Sequence, residues 1–121
     1  MAKILTVDDA PAVLKILNLV LTTEGHEVVS ASNGFEALQK IEGTGFDIGI
    51  FDVNMPGMTG IELTEKILKT DNGKSMKVVM LTTESSEEMK KKGQQAGAIG
   101  WLVKPFANES LIKLISKITD L

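Results

Sequence analysis

The apolar pattern of this 121-residue chain switches repeatedly between short runs of continuous or period-two character and stretches of period 3.6, and that alternation restricts the fold more than any other feature. Residues 3–7 form a strand-like run. Val13, Ile16, Leu17, Val20 and Leu21 then recur at i, i+3, i+4, i+7 and i+8, an amphipathic helix that Pro11 opens and that closes near Gly25. Residues 27–31 read as a short β-branched strand, Asn33-Gly34 as a turn, and Ala37, Leu38 and Ile41 as the apolar face of a helix ending at Gly43. A strand running into Asp52 follows, then a loop over 53–59, a helix over 61–69 and a turn at Asn72-Gly73. The fourth strand ends at Thr82, a polar helix covers 86–95, and the fifth strand covers 98–103. Leu111, Leu114, Ile115 and Ile118 mark the last helix, with Asn108 its expected cap.

Strands alternating with helices over short connections predict one parallel sheet with helices on both faces, an α/β fold. Periodicity alone leaves the strand order open. The length fits a single domain over 1–121 with a core that needs no disulfide. Cysteine is absent, which excludes a disulfide framework and a thiolate metal site and suits a cytoplasmic chain. No apolar stretch approaches the length of a membrane span or a signal-peptide core. The net charge is −3 and every basic residue is a lysine. Without arginine for bidentate base contacts, and with 4% aromatic residues for stacking, nucleic acid is not an expected partner.

The polar helix stands apart. Residues 86–95 carry Glu87, Glu88, Lys90, Lys91 and Lys92, an internal Gly93, and Met89 as the one large apolar side chain. It buries little, and its glycine costs up to about 1 kcal/mol relative to alanine. It is the helix expected to be least stable, and switching motion is drawn from such elements.

Four apolar runs end abruptly in residues suited to phosphate or metal: Asp8-Asp9, Asp52, Thr82-Thr83 and Lys104-Pro105. Ligands of open α/β sheets bind at the C-terminal edge of the strands. Taken singly, an acid pair caps a helix, an aspartate starts a turn, and a lysine or threonine says little. Their coincidence at one edge gives them a shared meaning. Clustered Asp8, Asp9 and Asp52 need a cation between them, and a hard ion such as Mg²⁺ takes carboxylate oxygens and keeps sites for water and phosphate. Asp52, alone at the end of a very apolar strand, suits the role of nucleophile, since aspartate forms acyl phosphates. Lys104 and the Thr82 hydroxyl supply the charge and hydrogen-bond donor that phosphoryl transfer requires. Pro105 is placed to impose a fixed turn, a cis bond being one way to make it, that aims Lys104 inward. His26 reads as a surface residue after a turn, and Met55 and Met58 as loop packing.

The ordered set Lys3-Ile4-Leu5-Thr6-Val7-Asp8-Asp9, Asp52-Val53-Asn54-Met55-Pro56-Gly57-Met58-Thr59-Gly60, Thr82 and Lys104-Pro105-Phe106 resembles the receiver domain of bacterial two-component response regulators over essentially the whole chain. The resemblance implies a flavodoxin-like (βα)5 doubly wound sheet of order 2-1-3-4-5. It makes Asp52 the phosphoacceptor and assigns Mg²⁺ to Asp8, Asp9, Asp52 and the backbone carbonyl of Asn54. Thr82 becomes the switch hydroxyl, Lys104 the phosphate-binding lysine and Trp101 the aromatic switch, entering space that Thr82 vacates. Asn54 and Glu84 would tune dephosphorylation. Trp101 stands where tyrosine or phenylalanine is frequent.

Residues 81–85 and 96–101, with the helix that closes the sequence, look most like stand-alone chemotaxis regulators of the CheY type. The implied function is a phosphorylation-activated signalling switch, not a metabolic enzyme. It would take phosphate from a sensor histidine kinase, remodel the face of the fourth helix, fifth strand and fifth helix, and so control flagellar rotation. Its partners would be that kinase, a motor-switch protein or other downstream partner, and a phosphatase; the chain itself would be a cytoplasmic monomer contacting neither nucleic acid nor membrane. A phosphorelay intermediate or a pili-motility regulator is the nearest alternative. A small aspartyl-phosphate hydrolase is the alternative of another class, disfavoured because such enzymes place a second carboxylate where this chain has Asn54.

Overall fold

A computed structural model describes residues 1–84 and 86–120. Five strands, β1 (Lys3–Val7), β2 (Glu27–Ala31), β3 (Ile48–Asp52), β4 (Lys77–Thr82) and β5 (Gly100–Val103), alternate with five helices, α1 (Pro11–Thr23), α2 (Gly34–Lys40), α3 (Gly60–Leu68), α4 (Glu87–Ala96) and α5 (Asn108–Thr119). All strand pairs are parallel and the order is β2-β1-β3-β4-β5. This is the expected flavodoxin-like arrangement, with β1 and β3 adjacent at its centre. The chain reverses its direction of winding there, so the carboxyl ends of β1 and β3 border the crevice.

Side-chain alternation along the strands builds two cores. Leu5, Val7, Phe51, Val78 and Met80 point to one face, where Leu63 and Ile67 of α3 cover them. Ile4, Ile50, Val79 and Leu81 point to the other, where Leu17 and Leu21 of α1 and Leu111 and Ile115 of α5 cover them. β3 is buried throughout, as a central strand covered on both faces must be. A small polar network interrupts the second core. Thr6 of β1 is fully buried, and its hydroxyl lies 2.9 Å from that of Ser30 on β2. The side-chain oxygen of Asn18 on α1 accepts from Ser30 at 2.9 Å and from Thr6 at 3.3 Å. Because Thr6 and Ser30 are register partners, this network ties α1 to one alignment of β1 and β2.

Three local readings need correction. Asn33 is not a turn residue but the N-cap of α2; its side chain accepts the Glu36 N–H, and the helix starts at Gly34. Asn108 does not cap α5; it is the first helical residue, after Ala107, which has no side-chain acceptor to offer. His26 is half-buried, and its Nδ1 accepts the Ala2 N–H at 3.1 Å, so it anchors the start of β1. The signal missed at α3 was in plain view. Thr59 and Glu62 form a reciprocal capping box, the S/T-x-x-E pattern.

Candidate phosphoryl and metal site at the carboxyl edge of the sheet

Asp8, Asp9, Asp52, Thr82 and Lys104 all lie at the carboxyl edge of β1, β3, β4 and β5, as their positions at the ends of the apolar runs require. Asp8 is fully buried and fixed from two sides. Its backbone N–H donates to Ala31 O at 3.2 Å, and its Oδ1 accepts the Ala10 N–H at 2.9 Å, which turns the chain into α1. Its Oδ2 is sealed from solvent, and among the described residues the Lys104 ammonium is the charged group set against it, at 2.7 Å. Asp52 is 4% exposed and meets the same ammonium at 3.3 Å. Asp9 is exposed, and one oxygen from each of the three carboxylates falls within 4.8 Å of the others.

The electrostatics are short of positive charge. Burial, and then the neighbouring Asp8 carboxylate, push the Asp52 pKa from 3.8 up to about 6, although Lys104 pulls it down. Burial by itself would lower the Lys104 pKa; the hydrogen bond and charge of Asp8, and then Asp52, outweigh it and leave the pKa raised. One lysine therefore serves two buried carboxylates while a third stands at the rim. All-oxygen donors, excess negative charge and a sealed Asp8 oxygen fit a hard divalent cation such as Mg²⁺.

The fourth and fifth strands complete the edge. Lys104 donates its backbone N–H to Thr82 O at 2.7 Å, and the Lys104–Pro105 bond is cis. Thr82 is fully buried, and its hydroxyl accepts the Glu84 N–H at 3.1 Å. Glu84 and Asn54 are exposed on the loops that rim the crevice. Trp101 is not at this edge; it lies further back on β5, paired with Met80, and half-buried. Gly60 is a residue that the sequence reading passed over. A Cβ there would collide with the Asp52 carbonyl, and its N–H donates to Val53 O at 3.0 Å, so glycine lets α3 close tightly onto the end of β3.

A doubly wound sheet with buried acids and a lysine at its switch point defines a class of phosphate- and metal-handling α/β proteins. The chain belongs to the response regulator receiver domain family, whose pattern it matches over residues 4–116. It is 33% identical over 118 residues to Protein PilH of Pseudomonas aeruginosa, covering 98% of each chain. It is 36% identical over 119 residues to the chemotaxis protein CheY of the same organism, covering 98% of this chain and 96% of that one. The crystallised chemotaxis protein CheY4 of Vibrio cholerae superposes with a TM-score of 0.94 at 43% identity, over 98% of both chains. The chain is thus a CheY-like receiver of two-component signalling, a class whose members are phosphorylated by sensor histidine kinases.

Proposed function

We propose that this receiver takes a phosphoryl group on Asp52 and thereby changes what its α4-β5-α5 face binds, in a chemotaxis pathway that ends at a flagellar motor. The observation that carries this reading is the pairing of Asp52 and Asp8 across one buried ammonium, with Asp9 at the rim. An Asp52 carboxylate oxygen attacks phosphorus, the P–N bond of a phosphohistidine breaks, and its electron pair returns to the imidazole, leaving an acyl phosphate. Asp8, Asp9, Asp52 and the Asn54 carbonyl would hold Mg²⁺, which offsets charge on the transferring phosphoryl oxygens. Lys104 pairs with a phosphoryl oxygen, and Thr82 donates its hydroxyl proton to another. Asn54 and Glu84, at the mouth of the crevice, set how readily water reaches the acyl phosphate.

The chain acts as a signalling switch in the cytoplasm, as a monomer consuming its own phosphoryl group; a phosphatase would shorten the signal. One other pathway fits the same chemistry, regulation of pili-based motility. Acetyl phosphate with Mg²⁺ should add one phosphoryl mass to the wild type and none to Asp52→Asn. A motor-switch peptide should then bind the phosphorylated form more tightly. Loss of labelling would sink the receiver chemistry; labelling without peptide binding would remove the flagellar pathway and leave the pili or phosphorelay reading.

A further inference from the structure

The only buried residue of α4 is a glycine. A Cβ on Gly93 would stand 2.9 Å from Cζ3 of Trp101, 3.6 Å from its Cε3 and 3.3 Å from Cγ of Met80. The six-membered edge of the indole therefore lies directly against the α4 backbone, in a notch that any side chain at 93 would fill. Sequence propensity counts Gly93 as a defect in the helix; packing shows what the defect accommodates. The indole Nε1–H is sealed from solvent and has no hydrogen-bond partner among the described residues, a costly state for a buried donor.

α4 is otherwise weakly held. Met89 is its one partly buried large apolar side chain, and its main packing is against α3. The helix begins just past the loop that Thr82 pins through the Glu84 amide. At its far end Gly97, at φ +114, turns the chain back toward β5. α4 thus rests on the sheet chiefly through an indole and a glycine, between two short connections.

We infer that Trp101 is a fixed wedge already in its inner position, and that α4 is the part that moves over it, with Gly93 as the sliding surface. This rests on the receiver reading above and changes its output step: the aromatic ring does not swing in on activation. Instead α4 shifts off the six-membered edge of the ring that Gly93 now accommodates. Lys90, Gln94 and Ile99, which with Trp101 line a cavity of about 150 Å³ between α4 and β5, are then displaced together.

Amide exchange of the α4 segment, read alongside acrylamide quenching of the single tryptophan, tests the wedge. In the resting protein, Gly93→Ala should raise α4 exchange about tenfold, and the added change Trp101→Phe, which shortens the ring, should restore protection. Unchanged exchange, or no restoration, overturns the contact. If Gly93→Ala does not fold, Trp101→Phe alone decides: α4 exchange must rise, and an unchanged rate overturns the wedge. Beryllofluoride with Mg²⁺, a stable phosphoryl mimic, should raise α4 exchange in the wild type and, because α4 leaves the ring uncovered, raise acrylamide quenching of Trp101 along with it. A several-fold change in quenching with α4 exchange unaltered overturns the wedge in favour of a swinging ring. Absence of a bound-fluoride resonance by ¹⁹F NMR overturns the receiver reading itself, and with it the trigger, whatever the resting variants show.

Discussion

The hydroxyl of Thr82 accepts the backbone N–H of Glu84 at 3.1 Å, so a buried residue at the carboxyl edge of β4 also holds the chain where it leaves toward α4. The hydroxyl can donate its proton elsewhere while accepting from Glu84, but only from its present position. Drawing it toward a phosphoryl group on Asp52 stretches or breaks the loop's tether. On the proposed chemistry, the phosphoryl contact and the Glu84 tether are therefore coupled through one oxygen.

That coupling gives a first expectation. Thr82→Val, which keeps the shape and removes the acceptor, should speed exchange of the Glu84 amide in the unphosphorylated protein by about fivefold to tenfold, the equivalent of about 1 kcal/mol. Thr82→Ser should not. If valine and serine behave alike, the hydroxyl is not what holds the loop.

The raised pKa of Asp52 fixes the sign of a stability effect. The native state binds this proton more tightly than the unfolded chain does, since 3.8 becomes about 6. The penalty is absent below about pH 4, where both states are protonated, grows across the window between those two values, and is complete above it. Asp52→Asn removes the penalty, and Lys104 keeps Asp8 as its partner at 2.7 Å. Without divalent cations the variant should be more stable than wild type by about 2 kcal/mol at pH 7.5, and the advantage should vanish toward pH 4. Urea unfolding at the two pH values reads this directly; an advantage that grows on acidification would contradict the assigned shift.

Much of this molecule could be read before its fold was seen, and the unread part has a common physical cause. Strand and helix identities followed from periodicity, because burial on one face or two leaves a record at each position. The convergence of Asp8, Asp52, Thr82 and Lys104 followed from parallelism alone, since all four close their strands at one edge. Strand order came from the family resemblance and not from the pattern. What stayed hidden were contacts between elements distant in sequence. Gly93 looked like a weakness until the Trp101 ring was found against it. Gly60 carried no role beyond its place in the motif, yet a Cβ there would meet the Asp52 carbonyl, so it is where α3 closes onto the end of β3. His26 had no visible partner because that partner is the main chain of Ala2. Propensity and period describe one element at a time, and these residues answer to two.

Gly60 offers a test confined to packing. Its missing Cβ lies where the Asp52 carbonyl already sits, and backbone cannot move aside as a flexible side chain would. Gly60→Ala should push α3 off β3 and cost about 2 kcal/mol or more in stability. It should also slow phosphorylation by acetyl phosphate, because Asp52 is displaced with its backbone. Normal stability in thermal unfolding would show that the contact is easily relieved.

The acidic cluster should report its cation. Mg²⁺ titration followed by thermal unfolding should raise the wild-type midpoint by mass action, and Asp9→Asn should weaken the apparent affinity at least about tenfold while altering the midpoint little without metal. Asp9 is exposed, so its loss leaves the apo fold intact. An Asp9→Asn protein that gains as much from Mg²⁺ as the wild type would remove Asp9 from the site.

Lys104 separates the structural from the chemical work of the site. Among the described residues its ammonium is the cation that bridges Asp8 Oδ2 and Asp52 Oδ1, at 2.7 and 3.3 Å, and Asp8 is wholly buried. Lys104→Met keeps the length and apolar stem and deletes the charge, leaving two buried carboxylates to repel each other. Breaking a buried pair from one side typically costs about 3 kcal/mol, and the 18% exposure of the lysine side chain places this case toward about 2. The loss should be relieved in two distinct ways. Below about pH 5 the Asp52 carboxyl takes up a proton and the repulsion ends; at neutral pH, Mg²⁺ should stabilise the variant by more than it stabilises wild type. Urea unfolding at pH 7.5 and pH 4.5, each with and without Mg²⁺, separates the two routes. A variant that is destabilised equally in all four conditions would mean that Lys104 holds the edge by its packing and not by its charge.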